Sequence, residues 1–346
     1  MEMDLDQLIE TAERMVAPGK GILAADESTR TIKKRFDTIG LESTEDNRRD
    51  WREMLFRTEP AMSEHISGVI LYDETIRQNA KDGTPLTKLI TDAGSIPGIK
   101  VDAGAQPLAG APGEMITEGL DGMRGRLNEY YKLGARFAKW RAVINIGQGG
   151  DDSVPSPYCI DVNMHALARY AALCQEANIV PIVEPEVIMD GDHDIARCYD
   201  VTQYGLRKLY EELYEQNVIL EGTVLKPNMI IAGTNCPEQS TRDEVAELTV
   251  QCLLNTVPAA VPGIAYLSGG QTDEDATAHL SLMNEGFDLP WLMTFSYGRA
   301  LQAAPLEAWN GKNVEAGQAA FNHRARMNGL ASLGEWSEEL EQQGAA

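Results

Sequence analysis

A chain of 346 residues with 43% hydrophobic content holds enough apolar side chains for one large core or two ordinary ones. Its 53 acidic and 30 basic side chains leave a net charge of −23, which argues against nucleic acid or an anionic membrane as partner; phosphates must be held by locally placed cations and backbone amides. Five scattered cysteines (Cys159, Cys174, Cys198, Cys236, Cys252) without a CxxC exclude a disulfide framework or zinc site and predict reduced thiols in a cytoplasm, while no apolar run approaches the ~18 residues of a membrane span and the acidic start MEMDLDQLIE is unlike a targeting peptide.

Eight short, β-branched runs read as buried strands. In chain order they are Gly19 to Asp26, Ile66 to Asp73, Pro97 to Asp102, Arg136 to Ile144, Ile179 to Val187, Thr223 to Ile230, Gly263 to Ser268 and Trp291 to Ser296. Helical patterns lie between them, with capping-box spacing at Ser43 and Asp46 and again at Ser240 and Asp243. Strands apolar on both faces and separated by helices imply parallel βα units. Eight of them at this length predict an α/β fold, a (β/α)8 TIM barrel; an open doubly wound sheet is the alternative, disfavoured because no GxGxxG follows the first strand. No linker divides the chain, so residues 1–346 are expected to form a single barrel domain, with 311–346 as a C-terminal helix running into a mobile acidic tail.

In such a barrel the C-terminal strand ends line the active site. The first strand ends in Asp26, followed by Ser28; the third carries Lys100, the fourth Lys139 and Arg141, the fifth Glu184 and Glu186, and the sixth Lys226. The last two end in Ser268-Gly269-Gly270 and Ser296-Tyr297-Gly298-Arg299, where glycines expose amides beside a cation, as a phosphate seat requires. Lys226 lies in an otherwise apolar run, VILEGTVLKPNMII. Burial disfavours a lysine's charged form, the condition for an amine that attacks carbonyls. Duller readings stand beside these. Lys100 could snorkel at the surface, Asp26 could cap the next helix, and Lys139 and Arg141 could form an internal ion network with Glu184 and Glu186. GDHD (Gly191 to Asp194) reads as a turn and helix cap rather than a metal site, and no HxxxH or HxH spacing marks the other histidines, so no metal is expected.

Taken together, GKGILAADEST (Gly19 to Thr29), EDNRR (Glu45 to Arg49), GIKVD (Gly98 to Asp102), FAKWR (Phe137 to Arg141), IVPIVEPE (Ile179 to Glu186), GDHD, LEGTVLKPNM (Leu220 to Met229), LSGGQ (Leu267 to Gln271) and FSYGRALQ (Phe295 to Gln302) closely resemble class I fructose-bisphosphate aldolase. The resemblance implies reversible cleavage of fructose 1,6-bisphosphate to dihydroxyacetone phosphate and glyceraldehyde 3-phosphate in glycolysis or gluconeogenesis. A related ketose phosphate, or a barrel kept as a non-catalytic binder, are the competing functions. By the same resemblance Lys226 is the Schiff-base nucleophile, Glu184 the acid and base that dehydrates the carbinolamine, and Asp26 the acceptor of the C4 hydroxyl proton, with Lys139 close by. Ser268, Gly269, Gly270, Ser296, Gly298 and Arg299 would hold the C1 phosphate; Ser28, Thr31, Arg35, Lys100 and Arg141 would serve the C6 phosphate. Glu186 is assigned to the substrate site, where with dehydrating surroundings it is expected to raise the effective pKa of Glu184. The resemblance further implies no cofactor beyond the covalent lysine, small sugar phosphates as partners, and a homo-oligomer, commonly a tetramer. Two departures stand out: Thr31 occupies a position usually held by serine, and no tyrosine follows Tyr297, so late proton exchange on the enamine is expected to use another route or to be slower.

Overall fold

All eight runs become parallel strands in the computed structural model, which describes residues 3–343. They are β1 (Gly21–Ala25), β2 (Ile66–Leu71), β3 (Ile96–Lys100), β4 (Phe137–Ile144), β5 (Val180–Val187), β6 (Val224–Leu225), β7 (Gly263–Tyr266) and β8 (Leu292–Tyr297). Each pairs with its chain neighbours, and β1 pairs with β8 to close the barrel. The open-sheet alternative is thereby excluded. Helices connect the strands, and burial on both faces explains why the runs are continuously apolar rather than alternating.

The barrel interior is filled at its N-terminal end by Ile22, Ile70, Ile96, Phe137, Val180, Ile182 and Val224, and is capped by the amphipathic helix Leu5–Met15, whose Leu8, Ala12 and Met15 join the same cluster. Large and small side chains alternate here. A Cβ on Gly98 would stand 2.3 Å from the Phe137 ring and one on Gly68 2.8 Å from it, so both glycines make room for that ring. This packing fills the lower barrel and leaves the opposite mouth for polar groups.

Three details depart from the sequence reading. The sixth strand, expected over Thr223 to Ile230, keeps only Val224 and Leu225, because Pro227 and, across the ladder, Pro185 lack the N–H groups that would extend it. The helix caps fall one residue later than Ser43 and Ser240: Thr44 and Thr241 accept from Asn47 N–H and Glu244 N–H, at 3.1 and 3.2 Å. An antiparallel hairpin, Gly104–Pro107 with Met115–Glu118, follows β3; its four-residue strands are too short and too exposed to leave a periodic signal. Beyond Gly311 the chain forms helices Val314–Ala331 and Glu338–Gln343. The second is held where Glu341 accepts from Trp336 Nε1 at 2.8 Å and pairs with Arg324, and where Glu338 pairs with Arg242 at 2.9 Å. The tail's last residues, 344–346, lie outside the described part of the chain, as do the first two of the acidic N-terminal stretch.

Candidate active site

Residues two apart on a strand point the same way, and the β4–β5 register aligns Lys139 with Ile182, Arg141 with Glu184 and Val143 with Glu186. The inward faces of β4 and β5 therefore carry two cations beside two carboxylates at the barrel mouth. Lys226 enters from β6, where its N–H donates to Val183 O at 2.8 Å. Its Nζ lies 3.0 Å from Glu184 Oε1. Glu184 Oε2 lies 3.2 Å from Lys139 Nζ, which is 2.8 Å from Asp26 Oδ2 at the end of β1. Lys226, Glu184 and Lys139 are 4%, 3% and 5% exposed, so this row of alternating charges is shielded from water.

Burial penalises the charges of Asp26, Lys139 and Glu184, but the neighbours outweigh it at all three. For Asp26, burial opposes ionisation, yet Lys139, Lys226 and Lys100 hold the carboxyl well below its usual range. For Lys139, burial is likewise overcome, here by Asp26, Glu184 and Asp102, which push its pKa up. Glu184 corrects the sequence reading: against burial, Lys139, Lys226 and Arg141 hold its carboxyl below the ordinary value instead of above it. The raised carboxyl is Glu186, pushed up by burial, although Arg141 pairs with it at 2.8 Å. The two glutamates are driven apart because Glu184 sits among three cations and Glu186 faces chiefly one.

Two polar seats flank this row. On one side Ser268, Gly269 and Gly270 follow β7 ahead of helix Asp273–Gly286, while Ser296 lies near the end of β8 and Gly298 caps helix Arg299–Trp309, whose first residue is Arg299. Gly269 and Gly270 lie against Met189, and a Cβ on Gly270 would stand 2.3 Å from that side chain at φ +74°, so a larger residue at Gly270 would be strained and would displace Met189. On the other side Ser28 caps helix Thr29–Asp37, accepting from Thr31 N–H at 3.3 Å, and its hydroxyl meets that of Thr31 at 3.0 Å. Arg35 from the same helix pairs with Glu27, and Lys100 pairs with Asp102 at 2.8 Å.

Every residue assigned to the site from the sequence lines one cavity of about 920 Å³: Lys226, Glu184, Asp26, Lys139, Ser28, Thr31, Arg35, Lys100, Arg141, Glu186, Ser268, Gly269, Gly270, Ser296, Gly298 and Arg299. Asp26 caps no helix; Ser28 has that role. The ion network among Lys139, Arg141, Glu184 and Glu186 exists, but it faces an open cavity large enough for a sugar bisphosphate. Sequence reasoning missed Glu27, Asp102, Asp190 and Gln271, which also line it. Asp102 ends the third predicted strand and could have been found by the strand-end rule; Asp190 and Gln271 sit in loops that carry no such signal. GDHD is a turn and cap: Gly191 has φ +139°, Asp194 caps helix Ile195–Glu215, and Asp192 accepts from Gly149 N–H at 3.1 Å. Among the described residues no group of three or more His, Cys, Asp or Glu side chains is arranged to hold a metal ion.

Comparison with known proteins gives the family. The family model described as fructose-bisphosphate aldolase class-I matches residues 7–346. A probable fructose-bisphosphate aldolase class 1 of Xanthomonas campestris pv. campestris is 62% identical over 96% of this chain and 99% of its own length. A fructose-bisphosphate aldolase of Drosophila melanogaster is 52% identical over 96% of this chain and 91% of its own. Among solved structures, the fructose-bisphosphate aldolase of Plasmodium falciparum, determined in complex with TRAP and a small-molecule inhibitor, superposes with a TM-score of 0.94 at 46% identity, covering 97% of this chain and 98% of that one. The chain with a buried lysine and glutamate between two polar seats belongs to the class I fructose-bisphosphate aldolase family.

Proposed function

We propose that this aldolase cleaves fructose 1,6-bisphosphate reversibly to dihydroxyacetone phosphate and glyceraldehyde 3-phosphate through a Schiff base on Lys226. The observation that carries the reading is the 3.0 Å pair of Lys226 Nζ and Glu184, buried between two seats suited to phosphates at the two ends of one sugar. At this distance a proton can pass directly between the two. Passing one proton from Lys226 to Glu184 creates a neutral amine and a neutral acid together, the combination needed for attack on C2 and loss of the carbinolamine oxygen as water. Asp26, held ionised by Lys139, takes the C4 hydroxyl proton. As the C3–C4 bond breaks, its electron pair flows into the iminium to give an enamine, and the aldehyde leaves. Protonation at C3 and hydrolysis of the iminium then release dihydroxyacetone phosphate and restore the lysine.

The iminium serves as electron sink, so the reading calls for no metal or dissociable cofactor. We further propose a cytoplasmic homotetramer whose chain works as one domain. Among the described residues no helix is long and apolar enough to cross a membrane. The test is an enzyme-coupled assay of triose phosphate release with EDTA present throughout. Turnover of fructose 1,6-bisphosphate well above that of fructose 1-phosphate supports the assignment. Equal turnover of the two would move it to a ketose 1-phosphate aldolase, and none would reject it.

A further inference from the structure

Between β5 and β6 the parallel ladder ends where the chemistry begins. The last regular bond runs from Lys226 N–H to Val183 O, at 2.8 Å. The next donor in a parallel register would be the amide of residue 185, which must give its hydrogen to Lys226 O; this residue is a proline and has none. The next bond donated from β5 would run from Val187 N–H to the main-chain oxygen of residue 228. In its place the side-chain oxygen of Asn228 accepts from Val187 N–H at 3.0 Å. The Asn228 amide nitrogen donates to Thr202 Oγ1 and to Met229 O, both at 3.1 Å, so its orientation is fixed from the helix behind β5 and β6. Asn228 and Thr202 are both buried.

We propose that Asn228 is a positioning residue that sets the distance between the amine of Lys226 and the carboxylates of β5. Its bond to Val187 lies one residue beyond Glu186, and the Val183–Lys226 bond lies one residue before Glu184; the two bracket the reacting pair. On its other side this segment is tied to β7 by Leu267 N–H donating to Pro227 O at 3.1 Å. Loss of the Asn228 bond therefore leaves, among the described residues, the Lys226 N–H to Val183 O bond as the one backbone tie to β5 beyond Leu225, while Pro227 stays anchored to β7, so that Lys226 can drift from Glu184. Phosphate seats on β1, β3, β7 and β8 are untouched by that drift. The signature is a loss in amine chemistry without a loss in binding. This inference rests on Lys226 being the Schiff-base lysine.

The experiment compares wild type, Asn228→Ala, Thr202→Val and the double variant. It reads turnover, inhibition by a hexitol 1,6-bisphosphate that has no carbonyl, and the rate at which dihydroxyacetone phosphate becomes trappable on Lys226 by borohydride. Asn228→Ala is expected to lower turnover and trapping rate together by about 10- to 100-fold, the scale of a displacement near 1 Å, with the inhibition constant unchanged within about twofold. Thr202→Val, which only frees the amide to reorient, is expected to lose roughly threefold in the same two rates, and the double variant no more than Asn228→Ala, because both act through one contact. A folded Asn228→Ala that is trapped at the wild-type rate, or whose turnover falls only as inhibitor binding falls, overturns the proposal. Should Asn228→Ala fail to fold, wild-type turnover and trapping in Thr202→Val overturn it equally. Absence of a Lys226 adduct in the wild-type protein itself would instead reject the Schiff-base reading and this inference with it.

Discussion

Lys226, Glu184, Lys139 and Asp26 act as a unit because each charge is stabilised by the next, so removing one leaves a buried partner uncompensated. Lys226→Met is expected to lower turnover roughly 10,000-fold or more, the scale seen when a covalent nucleophile is lost, while a bisphosphate inhibitor still binds. Glu184→Gln is expected to lower it by about 100- to 10,000-fold with KM little changed, as for loss of a general acid; steady-state kinetics on the coupled assay checks both. Asp26 supplies a test by pH. Its folded pKa lies below the ordinary carboxyl value of 3.8, so its contribution to stability is complete above about pH 5 and is lost as pH falls through 3.8 toward the folded value. Asp26→Asn should thus lower Tm by about 2–5 °C at pH 7, and the gap should close as pH drops below 4. The four residues were legible in the sequence because each is an ionisable group within or at the end of an otherwise apolar run. The direction of the Glu184 shift was not, since it depends on three cations arriving from β4 and β6 at distances that sequence does not specify. Glu27 shows the same limit: it follows Asp26 directly, yet only the fold reveals that it holds both Arg35 and the buried Arg52.

Strands and helices were readable wherever hydrophobic runs were bounded by turn residues, and misread where side chains took over main-chain roles. β6 is the clearest instance, reading as eight residues and keeping two because prolines interrupt the ladder and Asn228 bridges it. The glycines of β2 and β3 are elements of the same packing logic. Gly98→Ala would drive a methyl into Phe137 at 2.3 Å, and is expected to destabilise the protein by about 1–3 kcal/mol. Pairing it with Phe137→Leu should recover part of the loss; denaturant titration of the single and double variants checks this. At the other end of the barrel, Gly270→Ala should raise KM about tenfold with a smaller change in kcat, since the strained φ of +74° and contact with Met189 would displace the loop proposed to hold a phosphate.

On the scale of the molecule, a net charge of −23 surrounds a cavity whose walls carry Arg35, Lys100, Lys139, Arg141, Lys226 and Arg299. Local cations, not overall charge, would therefore bind a polyanionic sugar, as the composition anticipated. The barrel closes only through β1–β8 pairing between residues near the two ends of the chain, Ile22 with Ser296 and Leu23 with Tyr297, so the working site requires almost the whole sequence to fold together. If the chain works as one domain, thermal unfolding followed by near-UV and far-UV circular dichroism should give coincident transitions. Light scattering should give about four times the 37.9 kDa chain mass if the tetramer proposal holds. The central claim is the covalent chemistry of one amine. The most direct measurement is borohydride reduction in the presence of dihydroxyacetone phosphate and EDTA, followed by peptide mass analysis. A single adduct on Lys226 is predicted; a folded protein with no lysine adduct, or with the adduct on another lysine, would contradict it.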